Sequence, residues 1–192
     1  TTVSARGRVE LTDRIGLDVR YRHTDAFADL DGFGPVDTFD TTDTVNQSGL
    51  VRLRVADVLG LDHQFTVAAS DIERETDSDF PSVYTGEHRL YRWQADSRDQ
   101  AARLAYSFGY EHEEAKADLN GSVEAEIGAE MGVDSVFGVA RFAATDRLSL
   151  TAGLRHDETD DFGGETTGRV SAAYDLAAGL TLSGAYGSGF KS

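Results

Sequence analysis

From Leu148 onward, apolar residues recur at every second position. Leu148, Leu150, Ala152 and Leu154 alternate with Ser149, Thr151, Gly153 and Arg155. After a Gly/Asp/Thr-rich break, Val170, Ala172, Tyr174 and Leu176 alternate with Arg169, Ser171, Ala173 and Asp175. After Ala177-Ala178-Gly179, Leu180, Leu182, Tyr186 and Phe190 alternate with Thr181, Ser183, Ala185 and Gly187. Side chains of a strand point alternately to its two faces, so period two predicts strands with one apolar and one polar face. The same period predicts seven earlier strands, over about 2–11, 15–24, 47–56, 61–71, 88–96, 102–113 and 133–144. The expected fold is all-β: an antiparallel up-and-down meander of about ten strands.

The links between the strands alternate in length. Those after odd strands are short: 12–14, 57–60, 97–100, 145–147 and 177–179. Those after even strands are long and acidic: 25–46, 72–87, 114–132 and 157–166. In a meander, successive links emerge at opposite ends of the sheet. One end therefore carries tight turns and the other long loops, the asymmetry of bacterial outer-membrane barrels. Within the third long link, 122–132 (SVEAEIGAEMG) is the one place where a short helix is conceivable.

The two faces differ in chemistry. Nine arginines share the polar face: Arg6, Arg8, Arg20, Arg22, Arg52, Arg54, Arg92, Arg155 and Arg169. Such a face suits a water-filled lumen or one filled by a polar plug. Several apolar faces end in aromatic or histidine pairs, namely Tyr21-His23, Tyr91-Trp93, Tyr110-His112 and Tyr186-Phe190. Aromatic girdles of this kind sit at bilayer interfaces. A soluble β-sandwich also alternates, so pattern alone leaves a membrane wall and a sandwich binding module both open.

Composition narrows the classes further. The 192 residues carry a formal net charge of −16 and no cysteine. That charge argues against a nucleic-acid partner, which needs a basic face. Without cysteine there is neither a disulfide nor a thiolate metal site. No apolar run approaches the roughly 18 residues of a membrane helix, a length that barrel strands do not need. The chain starts at Thr1 in a strand-like pattern and stops at Ser192 straight after one, so a piece of a longer protein is expected.

Residues 147–192 (RLSLTAGLRHDETDDFGGETTGRVSAAYDLAAGLTLSGAYGSGFKS) resemble the mid-barrel segment of TonB-dependent outer-membrane receptors, close to the cobalamin/siderophore branch. The pieces that match are LTAGLRHD, TTGRVSAAYDL and GSGFK. In that last place the family tends to have a Gly-Thr-Gly-Phe-Lys/Arg-Ala-Pro run, and here Ser192 follows Phe190-Lys191. Residues 89–113 look like the preceding hairpins, whereas 1–86 match only in pattern. The resemblance implies a slice of a 22-stranded transmembrane barrel in the bacterial outer membrane. On that basis residues 1–192 are a partial β-barrel domain of a larger receptor, without its plug and remaining strands. It implies active uptake of a metal chelate such as cobalamin or a ferric siderophore. The implied partners are outer-membrane lipid and lipopolysaccharide, a plug domain, the TonB complex acting through the plug, and the small chelate. The alternatives are a small stand-alone outer-membrane barrel, passive or structural, and a barrel hydrolase with its site at the rim.

Candidate chemistry is sparse. No cofactor is assigned beyond a candidate calcium ion in the extracellular loops. Asp25, Asp29 and Asp31 are candidate ligands for calcium, because hard cations take several carboxylate oxygens and the resembling branch uses calcium in its extracellular loops. The competing account is a solvated acidic surface. The nine arginines are expected to face the lumen, against the plug or an anionic ligand, by bidentate hydrogen bonds. Arg155-His156-Asp157 sets a His beside an Asp, but adjacent strand residues face opposite ways, so catalysis is not expected. His23, His112 and His156 fall on the apolar face near strand ends and are expected at the interface.

Overall fold

The computed structural model describes residues 1–30, 39–121, 127–160, 163–177 and 179–189. Ten strands run through them: β1 (Thr2–Thr12), β2 (Ile15–Leu30), β3 (Asp40–Val58), β4 (Leu61–Asp77), β5 (Ser82–Ser97), β6 (Leu104–Gly121), β7 (Ile127–Ala143), β8 (Leu148–Thr159), β9 (Gly163–Ala177) and β10 (Leu180–Gly187). Each pairs antiparallel with the next, giving one sheet in the order β1 to β10. This is the expected up-and-down meander. Each strand packs only on its sequence neighbours, so the wall is one layer thick among the described residues. A sandwich, whose two sheets stack face to face at about 10 Å, is thereby excluded.

Tight turns are built by local chemistry. Thr-Asp-Arg occurs at both the β1–β2 and β7–β8 turns, and in each the Thr hydroxyl does the same work. Thr12 Oγ1 accepts from the Arg14 and Ile15 amides at 3.2 and 3.0 Å, and Thr145 Oγ1 from the Arg147 and Leu148 amides at 3.2 and 3.0 Å. Such hydroxyl-capped turns mimic a backbone turn. At the β3–β4 turn, Asp57 and Leu59 adopt left-handed φ values of 60° and 55°. Asp57 is held there by ion pairs to Arg14 and Arg98, at 3.6 and 3.1 Å, which tie three adjacent turns together.

The opposite end departs from expectation. The long loops of 25–46, 72–87, 114–132 and 157–166 are mostly strand. β2 continues to Leu30, β4 to Asp77 and β6 to Gly121, while β3, β5 and β7 begin at Asp40, Ser82 and Ile127. The link between β4 and β5 shrinks to 78–81. The asymmetry is one of protruding hairpins rather than of loops. The conceivable helix is strand from Ile127 onward, and residues 122–126 lie outside the described ones.

The cause is a change of parity partway up each strand. Near the turns the outer face is apolar, as in β6 (Leu104, Tyr106, Phe108 and Tyr110). Further up, the same face carries Glu114, Lys116 and Asp118, while the inner face becomes Ala115, Ala117 and Leu119. In β2, β4, β6 and β8 the first outward carboxylate, Asp25, Asp71, Glu114 or Glu158, comes 10 residues after the strand begins. Ten residues extend about 33 Å, or about 25 Å along the normal at a tilt near 40°, the height of the apolar band of an outer-membrane barrel.

Candidate functional site

Directly opposed residues share a face, so the pairing register assigns every side chain. Arg8, Asp18, Arg52, Thr66, Arg92, Glu111, Ser135 and Asp157 form one unbroken row across eight strands. Arg6 and Arg20 lie in the next row, Arg22 one above, Arg54 one below, and Arg155 and Arg169 face the same way. All nine arginines singled out from the sequence therefore stand on one face. The opposite face carries exposed Val19, Tyr21, Val51, Phe65, Val67, Tyr91, Tyr110, Val136, Leu150 and Val170. Most of the buried polar side chains, among them Asp18, Thr66, Glu111, Ser135 and Asp157, are on the arginine face. That face is the more enclosed of the two.

Two polar clusters organise this face. In the first, Asp18 accepts from Arg6 Nη2 at 3.2 Å, Arg8 Nε at 3.1 Å and Arg20 Nε at 2.8 Å. Arg52 Nε donates to Thr66 Oγ1 at 3.1 Å, and Arg54 Nη2 to Glu10 Oε1 at 2.8 Å. In the second, Arg155 donates from Nε to Asp157 Oδ1 at 2.7 Å and from Nη2 to Glu111 Oε1 at 3.0 Å. Ser135 sits between: its hydroxyl accepts from Arg155 at 2.8 Å and donates to Asp157 at 2.6 Å. Arg92 pairs with Glu111 at 3.5 Å and lies 4.8 Å over the Phe137 ring. Arg22 and Arg169 make no side-chain ion pair among the described residues.

Of the acids that receive these guanidiniums, Asp18 and Glu111 were given no role in the sequence, and Asp157 was expected at the start of a long loop. Alternation set Asp18 and Glu111 on the arginine face, and the pairing of Asp157 with Ser135 sets it there too. Which arginine met which acid required the register, and register is a tertiary fact. Ser135 is 2% exposed, and both of its hydrogen bonds are to charged groups. Ser135→Ala is expected to cost about 1–2 kcal/mol, read as a lowered midpoint in denaturant unfolding of the full-length protein.

The other predicted residues are placed as follows. Asp25 and Asp29 lie in β2, opposite Val45 and Thr41, and not in a loop. They are four residues apart, about 13 Å along the strand, so the two cannot clasp one ion unaided. Asp31 lies outside the described residues, as does Phe190. No group of three acidic or histidine side chains suited to a metal occurs among the described residues. His23, His112 and His156 are all on the outer face at the upper edge of the apolar band. Each meets an acid two residues on: Asp25 at 3.4 Å, Glu114 at 3.3 Å and Glu158 at 3.7 Å. His156 and Asp157 point to opposite faces, so they form no acid–base pair.

Below that collar the outer face is aromatic. Trp93 donates to His63 Nδ1 at 3.2 Å and meets Phe108 edge-on at 5.7 Å. Tyr91 stands 6.2 Å from His112, and Tyr110 donates to Asp134. Rings whose bodies are apolar and whose polar tips reach charged groups suit a lipid–water boundary.

Comparison with known proteins agrees with this geometry. The siderophore receptor PirA from Pseudomonas aeruginosa superposes with a TM-score of 0.75 at 14% identity, covering 97% of this chain and 32% of the receptor. The alcaligin outer-membrane receptor FauA from Bordetella pertussis gives 0.73 at 16% identity, with 97% and 34% covered. The RagAB peptide importer also gives 0.73, at 11% identity, with 97% and 32% covered. The chain thus spans about a third of the length of these structures. No curated protein matches it in sequence. The family model described as TonB dependent receptor-like, beta-barrel, matches residues 1–192. From end to end, this chain belongs to the TonB-dependent receptor β-barrel family.

Proposed function

We propose that this chain is part of the barrel wall of an outer-membrane receptor that imports a metal chelate, with a ferric siderophore as the leading candidate and cobalamin the second. Energy would come from the TonB complex through a plug, and no reaction is catalysed. The observation that carries the proposal is the sorted wall: a family barrel sheet, oily on one face to a height of about 25 Å and charged on the other. Ten strands with two open edges need further strands to close in lipid. The siderophore receptors among the structural neighbours favour a chelate, and the peptide importer names the competing cargo.

The test is uptake. Cells lacking the full-length protein are expected to lose accumulation of one radiolabelled ferric siderophore, or of cobalamin, and to regain it on complementation. Dissipating the proton-motive force abolishes the regained uptake. Unchanged uptake of every chelate, with a loss of peptide uptake instead, overturns the chelate assignment. Measuring chelate binding to the full-length protein with and without a calcium chelator, and again in an Asp25→Asn/Asp29→Asn/Asp31→Asn variant, tests whether these three residues contribute to a calcium site. Calcium-independent affinity removes that role.

A further inference from the structure

Above the apolar band, the inner face of β4–β7 is apolar where the outer face is charged. Three successive cross-strand rows carry this inner surface. Ser70, His88, Ala115 and Met131 form the lowest. Ile72, Gly86, Ala117 and Ala129 form the next, and Arg74, Tyr84, Leu119 and Ile127 the highest. His88 is bonded to Glu113 at 2.8 Å, which leaves Arg74 as the one fixed cation in the three rows. The rows extend about 14 Å across the four strands and about 14 Å along them. They line a hollow of about 460 Å³. Its floor is closed at Gly86, where a Cβ would stand 2.9 Å from Ile72 Cγ2 and 3.0 Å from the Tyr84 hydroxyl. The glycine lets those two side chains meet over the backbone.

The end opposite the tight turns faces outward in an outer-membrane barrel, so this surface stands at the mouth. Apolar side chains facing a watery mouth are unfavourable until something apolar covers them. The outer side of the same strands carries the opposite chemistry. β4 alone points Asp71, Glu73, Glu75 and Asp77 outward, and β5–β7 add Glu87, Glu114 and Glu130 against Arg89 and Lys116. In a chain of net charge −16, this end presents a negative field to whatever approaches. A polyanion is repelled on the way in and finds a single guanidinium on arrival. An uncharged solute meets no such barrier, and it gains by covering the three rows.

We infer that the cargo is a ferric chelate of zero net charge, apolar on the side that meets β4–β7, of the tris-hydroxamate kind, and that tris-catecholate complexes are rejected. Three singly charged hydroxamates cancel the charge of iron(III), whereas three doubly charged catecholates leave three negative charges over. The outward carboxylates take no part in the contact and act only on the approach. The inference rests on the reading of the chain as part of a chelate importer, and it fixes the charge class which that reading leaves open.

The experiment measures binding of radiolabelled ferric complexes to the full-length protein in outer-membrane vesicles, against vesicles from cells that lack it. The probes are a panel of neutral tris-hydroxamates, with tris-catecholate and citrate complexes as the anions. One neutral complex is expected to bind at least about tenfold more tightly than either anion, with an affinity that changes less than about twofold between low and high salt. Ala117→Asp sets a charge in the middle row and is expected to weaken that binding about tenfold. Met131→Gln keeps the length of the side chain and serves should the first variant fail to assemble; its expected loss is about threefold. Glu73→Gln, on the outer side, is expected to leave binding of the neutral complex unchanged. Tighter binding of either anion, or full affinity in both inner-face variants, overturns the inference and leaves chelate import standing. Binding of cobalamin alone does the same. Binding of no chelate at all, with peptide uptake in its place, overturns both.

Discussion

Arginine at Val67 is expected to destabilise the assembled protein by about 2–4 kcal/mol, the cost of a cation on the lipid face near the bilayer centre. Val67 is in the middle of the outer apolar run of β4 and half exposed, with nothing of the chain's own covering it. Gln64, three residues earlier, faces the other way and donates to Asp96 Oδ2 at 3.2 Å. Gln64→Arg keeps a partner and meets water, so its expected effect is within about 0.5 kcal/mol. The comparison is made by denaturant unfolding of the full-length protein from lipid vesicles. The two substitutions place the same cation on opposite faces of one strand. Equal costs at the two positions, or a larger cost at Gln64, would mean that the apolar face does not meet lipid.

This pair also locates where the sequence was legible. Strand count, order and facing were readable because, for about ten residues above each turn, each face keeps one chemistry. An apolar face and a polar face write a period of two. Leu50, Leu90, Phe137 and Val139 break it, and the register assigns all four to the arginine face. The upper halves were illegible for a related reason. From about the tenth residue of a strand, charged residues take the outer face and the apolar residues move to the inner one. In β7, Val136 and Phe142 point outward, while above them Val133, Met131 and Ala129 point inward. A scan for apolar residues in constant phase stops at that switch and finds a polar segment, which resembles a loop. The recurring step from Ile15 to Asp25, Leu61 to Asp71, Leu104 to Glu114 and Leu148 to Glu158 was the available clue.

The charged face was half legible for a different reason. Alternation identifies which arginines share a side, but an ion pair needs the register between strands. Asp18 is between Arg20 and Gly16 on its own strand, yet its other two cations come from β1, at Arg6 and Arg8. Arg155 reaches two strands across to Glu111, 44 positions away in the chain. Such contacts decide which cations are paired within the wall. No local pattern records them.

Gly109 is the position where the smallest change is expected to do great damage. It lies in β6, opposite Gln94 on one side and Phe137 on the other. A Cβ there would collide with the Trp93 carbonyl oxygen and stand 2.6 Å from the Phe137 ring. The ring lies across the glycine, and the Arg92 guanidinium stacks on the ring. Glycine thus holds a slot for an aromatic residue that would otherwise break the polar face, and a cation covers that residue's exposed side. Gly109→Val is expected to cost about 3 kcal/mol, at the upper end for overpacking because one obstacle is backbone. Gly109→Ala falls at about 1–3 kcal/mol. Gly7→Ala, where nothing lies within 4 Å, is the control and is expected to be neutral or slightly stabilising. The two obstacles at Gly109 can be separated. Phe137→Ala in the Gly109→Ala background removes the ring but leaves the Trp93 carbonyl in place, so it is expected to recover less than half of the loss. Full recovery would assign the whole cost to the ring. No loss in Gly109→Ala would show that the strands can separate there freely, contrary to the close approach of β5 and β6.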